Sequence, residues 1–127
     1  MKKKLVVLAG DTHNAWHSDL TLAGFLDPAQ ANVKVGEEFA TPSVTSPGFE
    51  SYLTISPAQV KAIFEGIVDD LNWMDPSRRG YLKMTFTPVP ATGEWIFVST
   101  ISSRSYEAAP AEVRPFAPGT EVASLLP

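Results

Sequence analysis

Two side chains able to hold a metal ion stand two positions apart near the start of the chain. They are Asp11 and His13, in the stretch Val6-Val7-Leu8-Ala9-Gly10-Asp11-Thr12-His13-Asn14-Ala15-Trp16. Neutral imidazole and carboxylate are both common ligands for zinc, iron and manganese. A bent loop lets two such donors converge on one point. The competing assignment is structural, because Asp is a favoured helix N-cap and short motifs are weak on their own. The residues before the pair settle its placement. Val6-Val7-Leu8-Ala9 is a short apolar run rich in β-branched residues, which predicts a buried strand. Gly10 allows the chain to turn at its end. Asp11 and His13 are therefore expected at a strand tip, where open α/β sheets tend to place ligands.

A third donor, His17, follows His13 by four residues. On a helical turn both imidazoles share one face, and Asp11, His13 and His17 then form a mononuclear set. Spacing alone is weak evidence, and the favoured assignment for His17 is an exposed histidine beside Asp19. Other chemistries lack their residues. The chain has no cysteine, so disulfides, thiolate ligands and a cysteine nucleophile are excluded. No Gly-x-Ser-x-Gly elbow and no phosphate-cradling glycine loop after a strand occurs.

The elements that must position these residues follow in order. Asn14 to Phe25 has weak periodicity and is expected to begin as a helical turn. Leu26 to Asn32 reads as a loop from its Asp-Pro and Asn. Val33 to Thr41 reads as a strand in which Gly36 marks a bulge. Thr41 to Gly48, with Pro42 and Pro47 among small hydroxyl residues, reads as a structured loop. The spacing then predicts a helix from Ser56 to about Asn72. Ser56 is its N-cap and Pro57 its first residue. Val60, Ile63, Phe64, Ile67, Val68 and Leu71 form one apolar face, expected to be core. Asp69 and Asp70 near its end are assigned to solubility. Gly80 to Thr87 and Glu94 to Ile101 alternate as two strands of a hairpin. From Ser102 the periodicity disappears, and Pro110, Pro115, Pro118 and Pro127 suggest an extended tail. The expected division is residues 1–101 as one domain and 102–127 as the tail.

With 127 residues, 44% hydrophobic and 19% charged, the chain suits one domain with a modest core. A net charge of −4 argues against binding a nucleic-acid backbone. Lys2-Lys3-Lys4 and Arg78-Arg79 are the basic clusters, both expected to be solvated. The three lysines before Leu5 imitate a signal peptide, but the apolar run is too short for one. Localisation therefore stays open. No stretch approaches the length of a membrane span.

Gly10-Asp11-Thr12-His13-Asn14-Ala15-Trp16, followed by Glu38-Phe39-Ala40-Thr41-Pro42-Ser43-Val44-Thr45-Ser46-Pro47-Gly48-Phe49-Glu50, resembles the C-terminal part of the alkaline phosphatase D, or PhoD-like, phosphatases. The likeness runs from about Leu5 to about Ile101. It implies an α/β (α+β) fold, a partial metallophosphatase-like sandwich with a mixed sheet, one long helix and a C-terminal hairpin. It implies a metal-dependent phosphoester hydrolase acting on phosphate esters, with Asp11 and His13 as late-motif metal ligands and catalytic residues. Calcium, iron, zinc and manganese are the candidate ions. The family is often exported. Its early Asp- and Asn-rich motifs have no counterpart here, and two ligands fall short of the three protein ligands usual for catalytic zinc. Three expectations follow: a truncated enzyme completed by a second copy or a partner chain, a catalytically inactive remnant or binding domain, or one fragment of a split phosphatase. Apolar surface left by the missing half favours a homo-oligomer.

Overall fold

The computed structural model describes residues 5–22, 28–30, 33–88 and 90–116. It is a mixed α+β sandwich of two sheets and one helix. Strands β1 (Leu5–Ala9), β2 (Ala15–Thr21), β3 (Lys34–Ala40) and β4 (Leu71–Asp75) form the first sheet, in the order β1-β3-β2-β4. β1 and β3 are parallel, while β2 is antiparallel to both β3 and β4. Strands β5 (Gly80–Phe86), β6 (Ala91–Val98) and β7 (Ala108–Phe116) form the second sheet, antiparallel throughout. Helix α1 spans Pro57–Ile67.

The core lies between the sheets. Ala15 and Phe39 from the first pack with Ala91, Trp95, Phe97 and Phe116 from the second, with Val6, Trp73, Leu82 and Met84 at the margin. Trp95 is the hub. Its ring centroid lies 4.9 Å from that of Trp73 and 5.7 Å from that of Phe39. Its indole N–H donates to the Ala40 carbonyl at 2.8 Å, so the largest buried side chain leaves no polar atom orphaned. Gly93 makes room for this arrangement, since a Cβ there would fall 2.5 Å from the Phe39 ring.

The expected bulge at Gly36 is present. Leu20 pairs with Gly36 but Thr21 pairs with Lys34, so one residue of β3 is unmatched. The hairpin is also present, with its second strand shifted to Ala91–Val98. Ile101 lies past its end and is exposed. Within the region expected to be a tail, residues 108–116 form β7 and pair along β6, with Phe116 in the core. Pro118, Leu125 and Leu126, like Lys2 to Lys4, lie outside the described residues.

Four local expectations are corrected. Residues 15–21, expected to begin as a helical turn, form β2. Pairing on both sides with β3 and β4 overrides the weak local preference. The helix begins as predicted, with a capping box in which Ser56 and Gln59 satisfy each other's backbone N–H groups. It ends at Ile67 instead of Asn72, because Val68 is extended and Leu71–Asp75 leaves to pair with β2. Its apolar face is mostly uncovered. Val60 is buried and Phe64 stacks on Phe49 at 5.5 Å, but Ile63 and Ile67 are 50% and 71% exposed. Asp70 is structural, its carboxylate accepting from the Thr21 hydroxyl at 2.7 Å and its carbonyl from the Asp19 N–H at 2.9 Å. Among the described residues, no helix is long and apolar enough to cross a membrane.

Candidate metal centre

Asp11 and His13 sit where the sequence places them, in the five-residue connection between the end of β1 and the start of β2. That connection is tight. The Thr12 hydroxyl donates to the Asn14 carbonyl at 2.8 Å. His13 has a φ of 59°, in the left-handed region that costs a non-glycine residue of order 1 kcal/mol. It is the one non-glycine residue with positive φ among the described residues. Strain of this kind persists where surrounding contacts over-determine it.

One such contact is explicit. His13 Nδ1 lies 2.7 Å from the carbonyl oxygen of Pro47. A carbonyl only accepts, so Nδ1 carries the proton and the neutral ring presents its lone pair at Nε2. Histidines that bind metals are commonly oriented in this way, through the ring nitrogen that does not coordinate. Asp11 is exposed, and no hydrogen bond or ion pair engages its carboxylate among the described residues. The adjacent Asn14 is wholly buried, yet neither its Oδ1 nor its Nδ2 has a partner among the described residues.

The loop that supplies the Pro47 carbonyl is held by the second sheet. Within it, the Ser43 hydroxyl accepts the backbone N–H groups of Thr45 and Ser46. Its start is tied down by the Gly80 N–H, which donates to the Ser43 carbonyl at 3.3 Å. Its far end carries Glu50, whose carboxylate accepts from the Gly48 N–H at 3.1 Å and pairs with Arg79. Arg79 is 6% exposed, and its other guanidinium nitrogen donates to the Ser77 carbonyl at 2.8 Å. The Arg78-Arg79 pair is therefore not a solvated cluster. Arg78 is exposed, bonded to Asp75 and laid over the Phe97 ring, whereas Arg79 is a buried anchor. A two-residue charge run carries no signal that separates them.

His17 does not join His13. It lies on strand β2, not on a helical turn, and it is buried, so its expected exposure beside Asp19 is corrected as well. Its Nε2 meets Glu37 Oε2 at 2.8 Å, and its ring lies 4.8 Å from Phe39. Glu37 continues to Lys34 at 2.6 Å, and Lys34 to Asp19 at 2.8 Å. Burial disfavours the charged forms of Asp19 and Lys34. The hydrogen bonds between them, with those from Asn72 and Glu37, outweigh it, so Asp19 titrates below and Lys34 above its ordinary value. This network spends the His17 imidazole on a carboxylate inside the sandwich. Among the described residues no three His, Asp or Glu side chains are grouped to hold a metal ion.

No curated protein and no solved structure matches the chain. A family model described as PhoD-like phosphatase matches residues 1–95, which include the β1 tip, the 41–50 loop and the helix. The chain belongs to the PhoD-like phosphatase family.

Proposed function

We propose that the chain supplies one arm of a metal-dependent phosphoester hydrolase, with Asp11 and His13 as the ligands it contributes. The observation that carries this reading is the His13–Pro47 hydrogen bond, which leaves Nε2 free at a strained strand tip. The exposed Asp11 carboxylate stands two residues away. When bound, a divalent or trivalent ion supplies Lewis-acid polarisation of a phosphoryl oxygen. Zinc and manganese suit a mixed imidazole and carboxylate set, as does iron, while calcium prefers oxygen donors alone.

Two ligands from one chain make an incomplete set. That shortfall favours completion from outside the described residues, because no three His, Asp or Glu side chains are grouped for a metal ion among them. A homo-oligomer or a partner chain would provide it. The same observation supports the second reading, in which the chain is a fragment of a split phosphatase or a remnant inactive alone.

The experiment compares wild type with His13→Ala and His17→Ala, each stripped and reloaded with zinc, manganese, iron or calcium. Metal content and p-nitrophenyl phosphate turnover at alkaline pH are read together. His13→Ala is expected to lose both while keeping the fold. His17→Ala is expected to destabilise the sandwich by breaking the Glu37 pair, without removing a ligand. Wild-type metal content and turnover in His13→Ala would refute the assignment. Metal binding without turnover in wild type selects the fragment reading.

A further inference from the structure

The His13 tautomer is set by a carbonyl that does not hold itself in place. Pro47 belongs to the loop between β3 and α1, which contains no helix or strand before the single 3-10 turn at Phe49–Ser51. The nearest fixed group beyond Pro47 is the Arg79 guanidinium. Gly48 lies directly against it, since a Cβ on Gly48 would fall 2.7 Å from Nη2 and 2.8 Å from Nη1. Glu50 closes the clamp from the other side, holding the Gly48 N–H with the same carboxylate oxygen that Arg79 engages. The guanidinium is itself fixed by the Ser77 carbonyl and by the adjoining start of β5, whose Gly80 N–H bonds back to Ser43. A buried arginine is costly unless it is paired, and the carboxylate that pairs with this one belongs to the Pro47 loop.

We propose that Arg79 is a positioning residue for His13. By clamping Gly48 and Glu50 it fixes the Pro47 carbonyl, which holds His13 in the Nδ1–H tautomer and leaves the Nε2 lone pair to a ligand. The functional meaning of this clamp rests on His13 being a metal ligand. The tautomer itself is a property of the metal-free chain and is measurable without activity.

The test is long-range ¹H–¹⁵N correlation of the imidazoles, recorded over a pH series and read on its alkaline limb. The chain has two histidines, and His13→Ala assigns the signals. Wild-type His13 is expected to show a protonated Nδ1 and an unprotonated Nε2. In Arg79→Met the His13 pattern should move to the Nε2–H-rich mixture of a free side chain. Its zinc affinity should fall about tenfold or more, the usual loss when a ligand's orienting partner goes. Arg79→Lys, which keeps the charge for Glu50 without the planar fork, should restore the pattern in part. Unmoved His17 signals show that each variant is folded. Should Arg79→Met fail to fold, Glu50→Ala at an exposed position removes the acceptor shared by Arg79 and the Gly48 N–H and should shift His13 in the same direction. A folded variant with His13 still wholly Nδ1–H overturns the proposal, as does wild-type His13 without that proton. A tautomer shift in a protein that binds no metal supports the clamp and defeats only the ligand reading.

Discussion

Trp95→Phe tests whether the two sheets are joined as described. The indole is wholly buried among Phe39, Trp73 and His17, and its N–H donates to the Ala40 carbonyl. Phenylalanine keeps an aromatic ring but removes the donor and the second ring. The lost volume, roughly 40 Å³, costs about 1 kcal/mol if the core does not collapse onto it. The Ala40 carbonyl then loses a buried partner, for about 1–3 kcal/mol more. The expected total is about 3 kcal/mol, a large share of the 5–15 kcal/mol typical of a domain. Urea denaturation followed by circular dichroism reads it directly, and the slope should be unchanged if the unfolded state is the same. A loss below about 1 kcal/mol would mean that the Ala40 bond contributes nothing and that the core adapts freely.

Two further outcomes follow from local geometry. Gly66→Ala should stabilise the protein by about 0.5–1 kcal/mol, because the position is helical, exposed and has nothing within 4 Å of a Cβ; an unchanged or lower urea midpoint would contradict that. Lys34→Met should destabilise between about pH 5 and 9, where Asp19 and Lys34 are both charged. The lowered pKa of Asp19 gives a stabilisation that is present above the ordinary carboxylate value and lost as pH falls through the folded one. The raised pKa of Lys34 gives one that is complete below the ordinary lysine value and lost as pH rises through the folded one. The gap between variant and wild type should therefore narrow below about pH 4 and persist at neutral pH; a gap that widens in acid would refute the network.

The parts of the fold legible in the sequence are those with strong local punctuation. Gly10 ends a β-branched run, and Ser56-Pro57 opens the helix with a capping box, so both boundaries fall where expected. The helix C-terminus was not legible, because Leu71 continues the helical spacing while its backbone pairs with Ser18. β2 was not legible for a different reason. Its sequence, Ala-Trp-His-Ser-Asp-Leu-Thr, shows no clean alternation, and its polar His17 and Ser18 are buried. The partner that makes His17 tolerable there, Glu37, lies twenty residues on and is identified only by the β2–β3 register. Arg79 is the same kind of case, since its role depends on a loop brought to it by the fold. For the candidate site, the strand-tip placement of Asp11 and His13 was legible from residue type and turn, and the carbonyl that meets His13 was not.

Strand order explains why the two motifs meet. β1 and β2 follow each other in the chain but are not neighbours, because β3 lies between them. The 10–14 connection must therefore cross the end of β3. β1 and β3 are parallel, with Ala9 opposite Ala40, so both leave the sheet at that same rim. Thr41 is bonded there to the Ala9 carbonyl at 2.9 Å. The loop that continues from β3 thus emerges directly beneath the connection carrying Asp11 and His13, and contact between Pro47 and His13 follows from the topology. Thr21 and Lys34 pair at the opposite rim, away from the candidate site. Two separated motifs can therefore act as one structural unit, provided that β3 keeps its place between β1 and β2 and Arg79 keeps its hold on the loop.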